Sequence, residues 1–217
     1  MVEMIETGKL AVGATIKEGI GIGTRNIGPI MVNVLLWLVT IWVPYINVGT
    51  TIGLMAGIVS KASRGEAIPM TEIFDSKSRK YMGEFFLASC LIVGGVAIGV
   101  FFLIIPGIVI ALAWSLAILL VVDKGKNPTE AITLSNNCTY GYKARMFGIY
   151  SLVFLLFFIA QATVNSIGAA VDAATYNSEV IFFTSFLVIL SVVFEVFVFI
   201  GLQASVYKQL TEGIEAT

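Results

Sequence analysis

The chain has 217 residues, of which 58% are hydrophobic and only 12% charged, with a formal net charge of −1. A soluble domain carries about a quarter charged residues, so this composition excludes a water-solvated globule, and it leaves no basic excess for nucleic acid. Histidine is absent and only two cysteines occur, Cys90 and Cys138, which removes the usual general base and the commonest metal ligand and gives no disulfide framework.

The thirteen Lys and Arg residues fall into separate clusters along the chain. Residues 26–60 and 85–122 carry no charge, and 146–207 carry only Asp172, Glu179 and Glu195. A membrane helix needs about 20 apolar residues, and about 17 at the least, so each block has room for two crossings. Pairing the crossings puts every cation on one side, which the positive-inside bias assigns to the cytoplasm. The expected fold is therefore an all-α polytopic membrane bundle of six transmembrane helices arranged as three hairpins. It forms one integral membrane domain over residues 1–217, in a prokaryotic cytoplasmic membrane with both termini cytoplasmic.

Residues 1–26 read as an interfacial segment. Ile5, Val12, Ile16 and Ile20 share a helical face over 2–20, although glycines at 8, 13, 19, 21 and 23 leave a frayed terminus as the alternative. The first hairpin, 27–60, is expected to turn at Pro44, and its short arms leave open a re-entrant pair. Gly49, Gly53 and Gly57 recur every four residues on its second arm and suit close helix packing. The next connector, with Pro69, Ile73 and Phe74 before Lys77, Arg79 and Lys80, reads as a short surface helix. In the second hairpin, 83–122, Gly95 and Gly99 form another small-residue pair, and the break is expected at Pro106 and Gly107. Asn127, Pro128 and Glu130 have the order of an N-cap, first helical residue and third helical residue, with Gly141 as a stop. The third hairpin, 146–207, is expected to turn through 172–177.

Ile105-Pro106-Gly107-Ile108, then Trp114-Ser115-Leu116, then Pro128, Ala131, Ser135, Gly141, Lys143 and Phe147 follow in order, preceded by Arg64-Gly65-Glu66 and Ile73-Phe74. This succession resembles the DUF975 group of prokaryotic integral membrane proteins and is similar to the membrane domain beside some glycerophosphodiester phosphodiesterases. The resemblance implies a six-helix membrane domain with cytoplasmic connectors and no particular chemistry. The phosphodiesterase activity does not carry over, since no His or acidic cluster is present to build its metal site.

Glu195 lies near the middle of the last apolar stretch, where an ionised carboxylate costs several kcal/mol unless paired, hydrated or protonated. Ser191 sits one turn before it, and Gln161 and Asn165 lie on the preceding arm at comparable depth. A hydrogen bond from protonated Glu195 to Gln161 or Asn165 either locks packing or marks a site for an ion, a proton or a polar ligand. Lys77, Arg79, Lys80, Lys143 and Arg145 either set topology or contact anionic lipid head groups. The expectation is a non-catalytic protein without cofactor or metal. Its partners are membrane lipids and either further copies of itself or other membrane proteins, met through the glycine-lined faces. A small channel or transporter built around Glu195 is the alternative.

Overall fold

In the computed structural model, which describes residues 10–175 and 178–212, every regular element among those residues is helical. Residues 1–9, and Tyr176 and Asn177 of the expected outer turn, lie outside the described residues. Helices α1 (Val12–Arg25) and α2 (Ile27–Thr40) meet at a 72° bend beside Asn26. The face of α1 that is buried is not the expected apolar stripe but Thr15, Gly19 and Gly23, four residues apart. This face lies on the last helix, and a methyl group added at Gly19 would stand 2.8 Å from the Leu202 Cα. Two of the glycines that favoured a frayed terminus, Gly19 and Gly23, are thus the contact surface, because only a bare backbone lets two helices approach so closely.

After the turn Ile41–Val43, Pro44 opens α3 (Pro44–Ile52), where its missing N–H has no intrahelical partner to lose. Helical backbone continues through one wide π turn, Gly53–Gly57, into α4 (Ile58–Arg64). Gly65, at φ 69°, ends α4, and the Glu66 N–H reaches back to the Lys61 carbonyl at 3.0 Å, a Schellman stop. A 3₁₀ turn (Glu72–Phe74) and the short α5 (Ser76–Lys80), capped by the Asp75 carboxylate, complete the connector. This connector does not simply rest on a membrane surface. Ile73 is 1% exposed, and Asn33, wholly buried on α2, clamps the segment. Its Nδ2 donates to Pro29 and Pro69 carbonyls at 2.8 and 2.9 Å, and its Oδ1 accepts the Ile73 N–H at 3.0 Å.

α6 (Met82–Phe102) and α7 (Ile104–Ala113) are separated at Leu103, which is extended. The break therefore precedes the expected Pro106–Gly107. Pro106 falls in the first turn of α7, where a helix needs no N–H from it, and Gly107 serves packing against α6. α7 passes through an irregular turn at Trp114–Leu116 into α8 (Ala117–Lys124). Ser135 mends that interruption, donating to the Ala113 carbonyl at 2.7 Å and accepting the Leu116 N–H at 3.2 Å. Ser135 belongs to α9 (Pro128–Thr139), whose Asn127 cap accepts the Glu130 N–H at 2.9 Å. Gly125, at φ 68°, stops α8, and Gly141, at φ 81°, precedes α10 (Lys143–Thr175), which is followed by α11 (Ser178–Thr211).

Four stretches are long and apolar enough to cross a membrane: Met82–Phe102, Ile104–Lys124, Lys143–Val171 and Glu179–Thr211. A fifth appears only if the bent α1–α2 pair counts as one broken span. Six crossings are not reached by length. The 14 residues of α2 rise about 21 Å at 1.5 Å each, against a hydrocarbon layer of about 30 Å. Large apolar side chains such as Val93, Phe101, Phe154, Phe158 and Phe182 are exposed, a surface that lipid solvates and water does not. The core, which includes Ile30, Ile58, Leu120, Met146 and Leu202, joins elements from both ends of the sequence.

Candidate functional site

The intramembrane polar residues expected to meet are brought together only in part. Between α10 and α11, the Ser191 hydroxyl lies 2.8 Å from Gln161 Oε1, Tyr150 donates to Gln203 Oε1 at 3.1 Å, and Gly168 faces Thr184. These cross-pairs share one antiparallel register, which brings Glu195 level with Phe157, one turn short of Gln161. Neither Gln161 nor Asn165 is bonded to Glu195. Its Oε1 is buried without a hydrogen-bond partner, while the residue as a whole is half-buried. Asn165 is exposed and lines a separate cleft with Ser185 and Val188. The larger opening between the two helices, about 610 Å³, is walled mainly by apolar residues such as Val164, Ile167, Leu187 and Phe194, and Glu195 does not line it.

The glycines expected to face partners are closed by the chain itself. A methyl at Gly53 would stand 2.6 Å from the Ile73 Cα, one at Gly95 would overlap the Trp114 ring, and one at Gly99 would stand 2.9 Å from the Gly107 Cα. Gly49 is covered by the aliphatic part of Arg79 at 3.0 Å, and Gly57 lies near Ser78 and Glu72. These glycine faces are packed against other segments of the chain itself.

A charged network that the sequence reading did not anticipate lies where the C-terminal ends of α4, α8 and α11 converge. Arg64 pairs with Asp123 through Nη1 and with Glu66 through Nε at 2.5 Å, and Tyr207 donates to Asp123 Oδ2 at 2.8 Å. The Asp123 side chain is 7% exposed, so removing either partner would leave a buried polar group short of a contact. The Arg64 hydrogen bond holds the Glu66 carboxyl below the usual range, and Glu66 in turn keeps the guanidinium firmly protonated. Glu18 on α1, outside the four long apolar helices, accepts Lys208 Nζ at 2.8 Å, Ser205 Oγ at 2.8 Å and Gln209 Nε2 at 3.0 Å. Burial alone would raise its pKa, yet these donors outweigh burial and leave it lowered. Lys61 reaches Glu72 at 2.6 Å. The available signal for Asp123 was its place as the first charge after a long uncharged block.

The cations singled out for lipid contact sit in two groups on different elements. Lys77, Arg79 and Lys80 are exposed on α5, with Lys80 over the Tyr81 ring. At the start of α10, Lys143 donates to Asn136 at 2.9 Å and Arg145 lies over the Tyr142 ring.

No protein-family model matches this chain, and no curated protein or solved structure matches it either. Within the motif succession, Ser135, Gly65, Gly141 and Ile73 hold joints of the fold.

Proposed function

We propose that this chain is a non-catalytic multi-pass protein of a prokaryotic cytoplasmic membrane, whose cytoplasmic face gathers anionic lipid head groups. The observation that carries the reading is the meeting of the ends of α4, α8 and α11 in one charged layer, with Arg64, Lys124 and Lys208 at or just before those ends. Helices that end together run in the same direction. This supports paired passes, with four long spans and a first hairpin (27–60) that enters and returns. The exposed cations of α5 extend the basic surface, and each is worth about 1 kcal/mol of attraction to an anionic leaflet.

The test is lipid retention by the purified full chain, measured by native mass spectrometry after exchange into mixed phosphatidylglycerol and phosphatidylcholine. Enrichment of phosphatidylglycerol, reduced in a Lys77→Gln, Arg79→Gln, Lys80→Gln triple variant, is the expected result. Retention in proportion to the mixture would overturn the reading. The unpartnered Glu195 oxygen favours one second reading, a proton or cation site within the bundle. In that case proteoliposomes would show a flux that Glu195→Gln abolishes while assembly is kept. With no flux to lose, Glu195 has no role of that kind.

A further inference from the structure

A groove of about 590 Å³ runs between α1, the end of α4 and the end of α11. Its charged lining is Lys17, Glu18, Arg25, Arg64 and Lys208. The counter-charges are unevenly spent. Lys208 is held by Glu18, and Arg64 by Glu66 and Asp123. Lys17 and Arg25 have no acidic partner among the described residues, and both are exposed toward the groove they line.

The spacing on α1 matters as much as the charge. Lys17, Gly21 and Arg25 are four residues apart and so lie on one face, spanning about 12 Å along the axis. Gly21, between the two cations, also lines the groove, and a methyl group built on it would meet nothing within 4 Å. It differs in this from Gly19 and Gly23 on the same helix, which are bare because α11 presses on them. At Gly21 no neighbour requires the missing side chain, and its absence leaves a gap flanked by two uncompensated long cations, with the Arg64 guanidinium across the groove. Such an arrangement suits a compact, multiply charged oxyanion, which both cations reach from either side.

We infer that the groove between α1, α4 and α11 binds one phosphate group, clasped by Lys17 and Arg25 over the bare backbone of Gly21. The inference rests on the lipid-binding reading and narrows it to one site. The phosphate belongs either to a lipid head group or to a soluble phosphate compound, and the experiment separates the two.

Delipidated full-length protein in a zwitterionic detergent is titrated with dioctanoyl phosphatidic acid, with dioctanoylglycerol and with inorganic phosphate, and binding is followed by calorimetry. Saturable binding of the phosphatidic acid at one equivalent, with none of dioctanoylglycerol, is expected. Arg25→Gln or Lys17→Gln should weaken it about fivefold each, from the usual worth of one such cation near a head group. Gly21→Leu should abolish it without changing any charge, while Gly13→Leu, at a second glycine with open space around it but outside the groove, should leave it intact. Inorganic phosphate binding as tightly as the lipid would assign the site to soluble phosphate compounds. Unchanged binding in both Gly21→Leu and Arg25→Gln would overturn the site. Phosphatidylglycerol enrichment that persists in those variants would show that the broader reading survives the loss of this one, whereas no enrichment in the unaltered chain removes both.

Discussion

Gly201 is the position where one methyl group tests the architecture most directly. It sits on α11 against α1, and a Cβ there would stand 2.6 Å from the Gly23 nitrogen and closer still to the Gly19 carbonyl oxygen. These are backbone atoms, so no rotamer change relieves the clash. To restore ordinary contact near 3.4 Å with the Gly23 nitrogen alone the helices must separate by at least about 0.8 Å, a gap that forfeits a quarter to a half of each dispersion contact along the crossing. Overpacking of this kind costs about 1–3 kcal/mol, and backbone contact puts it at the upper end, against about 1 kcal/mol that Ala regains over Gly in a helix. The net loss for Gly201→Ala is about 2 kcal/mol, or about a thirtyfold shift in the equilibrium that docks α1. Gly13→Ala, on α1, supplies the opposite sign: its Cβ meets nothing within 4 Å, so only the helical gain of up to about 1 kcal/mol remains. The assay is chemical unfolding in micelles, combined with labelling of a cysteine placed at Thr15, which is buried when α1 is docked. Equal stability and equal labelling in the two variants would refute the close crossing of α1 and α11.

Asn33→Leu leaves the Ile73 N–H without its acceptor and frees the Pro69 carbonyl, so a loss of about 2–3 kcal/mol is expected. Hydrogen exchange at the Ile73 amide should rise by a factor of ten or more, as that loss implies. Asp123→Asn removes the charge that holds Arg64 and Tyr207 together, and is expected to cost about 2 kcal/mol once the partial exposure of Arg64 is allowed for. A melting temperature unchanged in Asp123→Asn would show the network to be idle. Glu18 and Glu66 both have lowered pKa values. Their pairing therefore contributes fully above the ordinary glutamate pKa of about 4.3 and is lost as pH falls through the lower folded values. The melting temperature should hold steady from pH 8 to 6 and fall below pH 4, and a fall on raising the pH instead would contradict that sign.

What could be read from residues alone was local chemistry and solvent preference. Long blocks with few or no charges favour lipid as solvent, and two of them, 85–122 and 146–207, hold most of the four long helices. Asn127, Pro128 and Glu130 act within one turn of one another, so α9 starts where its own residues say. The same locality explains what could not be read. α10 and α11 are apolar all round, so no stripe in either sequence tells which face meets which, and their register decides that Glu195 comes level with Phe157 and not Gln161. Gly53 and Gly95 announce close packing, but that their partners are Ile73 and Trp114 depends on where the chain returns. The groove on α1 is still less local, since it needs Arg64 and Lys208, residues far apart in sequence that only the converging helix ends bring beside Lys17 and Arg25. Composition settled which solvent surrounds the chain, because transfer free energy sums over residues wherever they lie. Tertiary structure settled which faces are spent and which stay open, because contact between distant segments is a property of their arrangement and of no single segment.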